Sequence, residues 1–117
     1  MIDPMSCIFC QIISGEVLAS IVHRDELVTA FHDTHPLTST HILIVPNRHI
    51  DSVNEVEESD AALLGHMVLM AKQIAARQGV AEKGYRLILN TGPDGGQSVF
   101  HLHMHLLAGH RARFSLG

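Results

Sequence analysis

Residues 99–109 read V-F-H-L-H-M-H-L-L-A-G and place His101, His103 and His105 at alternate positions. Successive side chains of a β-strand point to opposite faces, so residues two apart share a face. The spacing therefore predicts a strand with three imidazoles in a row on one face and the intervening apolar residues facing the core. In a helix each step of two residues turns by about 200°, so the imidazoles would not cluster.

Three aligned imidazoles permit two kinds of chemistry. They can bind a metal ion, because neutral imidazole is a common ligand. They can also act without metal, with one ring as nucleophile and the others as hydrogen-bond partners, because a pKa near 6.5 leaves imidazole mostly neutral at pH 7. A third interpretation is a solvent-exposed strand face, but such faces carry Thr, Lys or Glu more often than histidine. The spacing alone does not decide between a metal site and a nucleophilic imidazole.

Length and composition narrow the class of protein. A chain of 117 residues with 46% hydrophobic and 17% charged residues is typical of one globular domain, which we place over residues 1–117. The net charge of −4 and the lack of any Lys or Arg run argue against nucleic acid as a partner. No signal-peptide pattern and no apolar stretch of about 20 residues is present, so we expect no membrane partner and a cytoplasmic location.

Apolar periodicity predicts several strands and one long helix. The helix is expected over residues 57–79, with an apolar stripe at helical spacing and Gly79 just beyond its end. A short N-terminal helix is expected between a Ser6 cap and Gly15. The strand over 41–46 is almost entirely apolar, which predicts a central position in a sheet. The other strands are expected over residues 21–24, 27–33 and 85–91.

Cys7 and Cys10 form a C-x-x-C pair. In a reducing compartment such a pair is more often half of a metal site or a redox centre than a structural disulfide. A redox motif would follow a strand, and nothing of that kind precedes Cys7. Half of a metal site needs two more ligands, and the sequence contains 10 histidines. Two buried cysteines without ligands remain the alternative.

The turn over residues 92–98, G-P-D-G-G-Q-S, leads directly into the histidine strand. Glycines allow close backbone approach to a ligand, and successive amides can form an anion-binding concavity. The same composition also makes ordinary hairpin turns. Beside aligned imidazoles, the turn favours phosphate binding followed by nucleophilic attack on phosphorus.

These motifs together resemble a known family. The heptad H-L-H-M-H-L-L over 101–107 fits the pattern His-apolar-His-apolar-His-apolar-apolar of the histidine triad (HIT) superfamily. The chain resembles the nucleotide-binding branch of that superfamily from about Cys7 to Gly109. The resemblance implies an α+β, HIT-like fold with an antiparallel sheet of about five strands, one long helix, a short N-terminal helix and a homodimer. Further matching motifs are A-F-H-D at 30–33, T-H-I-L-I-V-P-N at 40–47, G-Y-R-L-I-L-N-T at 84–91 and G-G-Q-S-V at 95–99.

The resemblance also implies an activity. Members of this branch bind purine nucleotides such as AMP or GMP and hydrolyse phosphoramidates, in which the nucleotide is joined through nitrogen to an amine or lysine. His103 would attack the α-phosphorus and form a nucleotidyl-histidine, while His101 lies near the leaving amine and His105 orients His103. Ser98 would help to stabilise the developing charge. No organic cofactor is expected.

The nucleotide pocket follows from the same resemblance. Asp33 would bind the ribose hydroxyls, and His41 would lie behind the triad. His23, His35, His66 and His110 are interpreted as surface residues without a role. The other expected nucleotide contacts are Ile8, Phe9, Ile12, Val17, Phe31, His32, Leu43, Asn90, Gly96, Gln97, Ser98 and Val99.

A structural zinc site is implied by a more distant relation. Galactose-1-phosphate uridylyltransferases of the superfamily hold zinc with a C-x-x-C pair and two histidines, and the matching positions here are Cys7, Cys10, His49 and His101. Two thiolates and two imidazoles suit tetrahedral zinc. Two other functions stay open: a regulatory nucleotide-binding module with little turnover, and a metal-dependent hydrolase with the triple histidine as ligands. Phe114 lies near where some relatives place an aromatic residue across the dimer interface.

Overall fold

A computed structural model describes residues 6–109, so His110 and Phe114 lie outside the described residues. Five antiparallel strands form one sheet in the order β1-β2-β3-β5-β4. The predicted α+β fold, with its five-stranded sheet and one long and one short helix, is confirmed. The elements are α1 (Ile8–Ser14), β1 (Ile21–Arg24), β2 (Val28–His32), β3 (Thr40–Pro46), α2 (Ala61–Arg77), β4 (Arg86–Leu89) and β5 (Met104–Ala108), with short 3-10 turns at Val53–Glu55 and Glu58–Asp60.

The central strand β3 supplies side chains to two separate cores. Ile42 and Ile44 are fully buried in the larger core, which is formed with α2. Leu43 and Val45 belong to a smaller core with Cys7 and other residues of the N-terminal segment. Alternation along a strand sends neighbouring side chains to opposite faces. An apolar strand buried on both faces, as the sequence predicted, therefore divides the interior and leaves α1 on the face opposite α2.

Helix α2 begins later than predicted. Glu57 and Asp60 form a reciprocal capping box, so residues 58–60 adopt a 3-10 turn and the α-helix begins at Ala61. Its end agrees with the prediction, because Gly79 follows the cap residue Gln78 with a φ of 74°. Within residues 6–109, neither helix combines the length and apolar composition needed to cross a bilayer.

Strand β5 also begins later than predicted, at Met104 instead of residue 99. The preceding segment is held outside the sheet, where the Leu102 amide donates to the Ile50 carbonyl at 2.7 Å and the His101 ring contacts the Pro46 carbonyl. The prediction of a continuous strand through all three histidines is therefore wrong, since His101 and His103 precede the strand.

The N-terminal helix has a different cap from the predicted one. Cys7, and not Ser6, is the N-cap, and its Sγ accepts a hydrogen bond from the Cys10 amide at 3.4 Å. Gly15 ends the helix in the left-handed conformation with a φ of 88°, as predicted. The C-x-x-C pair is therefore part of the first turn of α1, with both sulfur atoms near the start of the helix.

Candidate active site

The three histidines of the triad serve two neighbouring sites. The rings of His103 and His105 lie edge to face, with centroids 4.9 Å apart, and both line one cavity. His101 is fully buried and turns away, so that its Nδ1 lies 3.3 Å from Cys7 Sγ. The expected row of three imidazoles is therefore a pair at the cavity and a third ring in a sulfur-rich cluster.

His103 is held in one neutral form by the backbone. Its Nδ1 donates to the carbonyl of His101 at 2.7 Å, because a carbonyl oxygen can only accept. Burial lowers the pKa of His103, so the ring is neutral at pH 7 and Nε2 keeps its lone pair. A neutral, oriented imidazole at a cavity wall is a suitable nucleophile.

Behind this pair, His41 contacts His105 and Asp33. His41 Nε2 lies 2.9 Å from His105 Nδ1 and 3.5 Å from Asp33 Oδ2. Burial, together with the neighbouring imidazoles, lowers the pKa of His105 to about 4, and burial also lowers the pKa of His41. Both rings are therefore neutral at pH 7. The resemblance predicts His41 behind the triad, and the structure places its ring against His105.

The cavity has a volume of about 500 Å³ and lies on the α1 face of the sheet. The amide of His35 donates to Asp33 Oδ1 at 2.8 Å, which fixes this carboxylate at the end of β2. No Lys or Arg of the described residues lines the cavity. Its apolar lining residues are Ile8, Phe9, Ile12, Val17, Leu18, Ala19, Phe31, Leu37, Leu43 and Val99. Its polar lining residues are His32, Asp33, Thr34, His35, His41, Ser98, His103 and His105.

Gln97 supports the loop beside the cavity instead of lining the cavity itself. Its side-chain carbonyl accepts from the Gly92 amide at 2.9 Å, and its side-chain nitrogen donates to the carbonyls of Asp51 at 2.7 Å and Val99 at 3.1 Å. The side chain is buried, and these bonds join the glycine turn to the segment after β3.

Two other residues expected to hold phosphate behave similarly. The Asn90 side chain donates to the Gly95 carbonyl at 2.8 Å, and Gly96 bends the turn with a φ of 83°. Neither lines the cavity, whereas Ser98 and Val99 do. Ser98, the last residue of the glycine turn, and Val99, which follows it, therefore line the cavity, and the earlier residues of the turn fix its shape.

Next to the cavity, four side chains converge on one point. The donor atoms of Cys7, Cys10, His49 and His101 all lie within 4.8 Å of one another. Nδ1 of His49 lies 3.3 Å from Cys10 Sγ, and Nδ1 of His101 lies 3.6 Å from the same sulfur. Both cysteines are free thiols. The resemblance named these four residues, and the structure brings them together.

The chemistry of this donor set fits a zinc ion. Zinc prefers four N and S ligands in a tetrahedron, and the remaining ring nitrogens of such histidines usually donate to an oxygen. Here His49 Nε2 lies 2.7 Å from Asp51 Oδ1, and His101 Nε2 donates to the Pro46 carbonyl at 2.9 Å. Burial and the neighbouring Cys7 raise the pKa of the Cys10 thiol to about 11, and a bound dication would displace the thiol protons.

A third polar cluster was not predicted. Asp25 Oδ2 lies 2.6 Å from His23 Nε2 and 2.8 Å from His66 Nε2, and the cluster joins the β1–β2 turn to α2. Burial alone would raise the pKa of Asp25, but hydrogen bonds from both imidazoles and two backbone amides hold that pKa well below its usual value. Both histidines are partly buried, and no local pattern connects residues 41 positions apart.

Comparison with known proteins agrees with this fold. The HIT domain family model matches residues 14–112. Together with the paired imidazoles at the cavity, the match shows that the chain belongs to the HIT domain family. The predicted relation to the histidine triad superfamily is confirmed.

Individual relatives define the family branch more closely. The chain is 52% identical over 102 residues to the purine nucleoside phosphoramidase of Escherichia coli strain K12, which covers 87% of this chain and 86% of that protein. A HIT family hydrolase from Legionella pneumophila superimposes with a TM-score of 0.92 at 41% identity, over 96% of this chain and 100% of that chain. A histidine triad protein from Clostridium difficile gives 0.93 at 38% identity, over 98% and 100%. The prediction that the chain is an enzyme of this family is confirmed.

Proposed function

We propose that the protein binds purine nucleotides and hydrolyses the P–N bond of nucleoside 5′-phosphoramidates, conjugates of AMP or GMP with ammonia or an amine such as lysine. The observation that carries this proposal is the orientation of His103, whose Nδ1 is bound to a backbone carbonyl while the ring lines a cavity. The relative named purine nucleoside phosphoramidase, at 52% identity, supports the same substrate class.

The cavity has features that suit a nucleotide. Apolar side chains from α1, β2 and β3 provide flat surfaces for a purine base, and Asp33 offers carboxylate oxygens to the ribose hydroxyls. Ser98, the last residue of the glycine turn, and Val99 line the same cavity as His103. A hydroxyl and an amide at that place can stabilise charge on the phosphoryl oxygens. Because no Lys or Arg of the described residues lines the cavity, a single phosphoryl group suits it better than a polyphosphate.

The reaction proceeds in two displacements. The lone pair of His103 Nε2 attacks the α-phosphorus, the P–N bond breaks, and the amine departs with a proton from water. The nucleotidyl-imidazole carries a positive charge, which the His101 carbonyl stabilises through the Nδ1 proton. The hydroxide formed from that water then attacks phosphorus, the bond from phosphorus to His103 Nε2 breaks, AMP leaves, and His103 returns to its neutral form. Each half-reaction exchanges one bond at phosphorus, and the net consumption is one water molecule.

The geometry disfavours a catalytic metal on the triple histidine. His101 faces the cysteines, and His103 Nδ1 is occupied by a backbone carbonyl. Of the triad, only His105 joins a second group of metal-type donors, with Asp33 and His41. The three rings therefore do not share one coordination point. A regulatory module with little turnover would use the same pocket, and kinetics separates it from an enzyme.

Cys7, Cys10, His49 and His101 would hold one structural zinc ion that ties α1 to the segment before β5. His101 then takes part in both sites, because its ring faces the cysteines and its carbonyl holds the nucleophile. Cys10→Ser is expected to lower the zinc content and the thermal midpoint together. Ser14→Ala, an exposed position in the same helix, is the matched control. Full zinc content in Cys10→Ser would refute this assignment.

A second copy of the chain is proposed at β4, which is an outermost strand of the sheet. A strand at the edge of a sheet can pair with a strand of another chain. Leu89 on this strand and Leu69 on α2 are 40% and 55% exposed. Leu89→Asp is expected to shift the sedimentation of the protein from dimer to monomer, whereas Leu27→Asp, at a turn with 46% exposure, is expected to leave it unchanged. A monomeric wild-type protein would refute the dimer.

The activity test uses adenosine 5′-phosphoramidate, with AMP release followed by chromatography. Wild-type protein is expected to release AMP with a rate that largely survives a zinc chelator, and His103→Ala is expected to release none. If the wild type binds AMP tightly but does not turn over, the regulatory module is the correct function. Immediate loss of activity on chelation, with the fold intact by circular dichroism, would support a catalytic metal instead.

A further inference from the structure

His41 receives a hydrogen bond from the loop before β3. The Leu37 amide donates to His41 Nδ1 at 3.1 Å, and a backbone amide can only donate. Nδ1 is therefore the unprotonated nitrogen, and the neutral ring carries its proton on Nε2. His41 is 3% exposed, so solvent does not compete for either nitrogen.

The proton on His41 Nε2 has a clear acceptor. Nδ1 of His105 lies 2.9 Å away, within ordinary hydrogen-bond distance, whereas Asp33 Oδ2 lies at 3.5 Å. His105 must then accept on Nδ1, and a neutral ring that does so carries its own proton on Nε2. His105 lines the cavity, so this second N–H is available to a ligand there.

We infer that the Leu37 amide is the positioning group that sets the tautomers of His41 and His105, so that His105 offers an N–H, and not a lone pair, to the phosphoryl group. This inference rests on the proposed function for its substrate. The hydrogen bonds run from the Leu37 amide to His41 and from His41 to His105, and both contacts are present in the structure.

Two backbone groups then give neighbouring histidines opposite roles. The His101 carbonyl places the proton of His103 on Nδ1 and leaves a lone pair for attack. The Leu37 amide places the proton of His105 on Nε2 and leaves a donor for the oxyanion. With the opposite tautomer of His41, the ring of His105 would present a lone pair to an anionic phosphoryl group, which is repulsive.

Proline at position 37 removes this amide. The Leu37 side chain is 68% exposed, so Leu37→Ala removes the side chain and keeps the amide. Loss of one preorganised oxyanion donor lowers kcat by about 10²–10³ in other enzymes. Because the Leu37→Pro chain can still sample the correct tautomer, we expect kcat about tenfold or more below that of Leu37→Ala. Equal kcat values in the two folded variants would overturn the inference.

Imidazole ¹⁵N NMR of the wild-type protein tests the tautomers directly, even if Leu37→Pro does not fold. The expected spectrum at pH 7 shows protonated Nε2 and unprotonated Nδ1 for both His41 and His105. Protonated Nδ1 on either ring would overturn the inference. The spectrum needs no substrate, so correct tautomers without turnover would count against the proposed function alone, and turnover with reversed tautomers would count against this inference alone.

Discussion

Replacement of Phe9 by leucine should lower the free energy of unfolding and slow the reaction at His103. Phe9 is buried and makes three edge-to-face contacts, with ring centroids 5.5 Å from Phe31, 5.1 Å from His103 and 5.8 Å from His101. Each such pair contributes about 0.5–1.5 kcal/mol beyond burial. Leucine keeps most of the apolar contact, so we expect a loss of about 2–3 kcal/mol of unfolding free energy, in the lower half of the range of about 1.5–4.5 kcal/mol for three pairs.

Urea denaturation measures this loss, and a single-turnover assay measures the effect on His103. Ile12→Leu is the matched control, because Ile12 is also buried, lies in α1 and lines the cavity. A swap of similar volume there is expected to cost below about 1.5 kcal/mol. Phe9→Leu should in addition slow AMP release, since the ring that packs against the nucleophile is gone. If the two variants are equally stable and equally fast, the edge-to-face contacts do not hold the site.

Three further predictions concern stability and pH. Asp25→Asn should lower the free energy of unfolding by about 2 kcal/mol at pH 7, measured by urea denaturation. Because the native pKa of the Asp25 carboxyl is lowered, its stabilisation is present above the ordinary carboxyl pKa, and the difference in unfolding free energy from wild type should shrink as the pH falls below about 4. A difference that stays constant with pH would contradict this. Gly95→Ala should lower the thermal midpoint and weaken AMP binding, because a Cβ would lie 2.2 Å from the Thr91 carbonyl oxygen; Gly65→Ala, with open space in α2, should gain about 0.5–1 kcal/mol. The His105 pKa of about 4 predicts that this ring stays neutral down to pH 5, so a pH–kcat profile of the wild type should show no acid limb from His105 above that pH.

The elements that follow from local patterns were predictable from the sequence. The apolar run in β3 placed that strand at the centre, and the glycine beyond α2 gave the end of that helix. The resemblance supplied Cys7, Cys10, His49 and His101 as one group, which the structure brings together. These features were predictable because the spacing of the residues and the family pattern identify them without knowledge of the fold.

Long-range contacts decided the rest. The alternation of apolar and polar residues extends through residues 99–103, but the Leu102 amide bonds to the Ile50 carbonyl and this segment lies outside the sheet. Sequence periodicity cannot predict such a long-range hydrogen bond. The sequence predicts a surface position for His66, and no local pattern reveals its partner Asp25, which lies 41 positions away. The resemblance predicts Gln97 at the phosphate, but an amide side chain can also satisfy backbone groups of a tight turn. In the structure the Gln97 side-chain carbonyl accepts from the Gly92 amide. The single domain over residues 1–117 and the cytoplasmic location stay predictions.

In the proposed mechanism His103 carries the nucleotide during turnover, and this step distinguishes it from every alternative function. It is tested most directly by acid-free quenching of a single turnover with adenosine 5′-phosphoramidate, followed by peptide mass spectrometry. If His103 is the nucleophile, a transient adenylyl group appears on the peptide that contains His103 and is formed and lost at rates consistent with AMP release. Turnover at the normal rate with the adduct on another residue, or AMP release by His103→Ala at the wild-type rate, would contradict it.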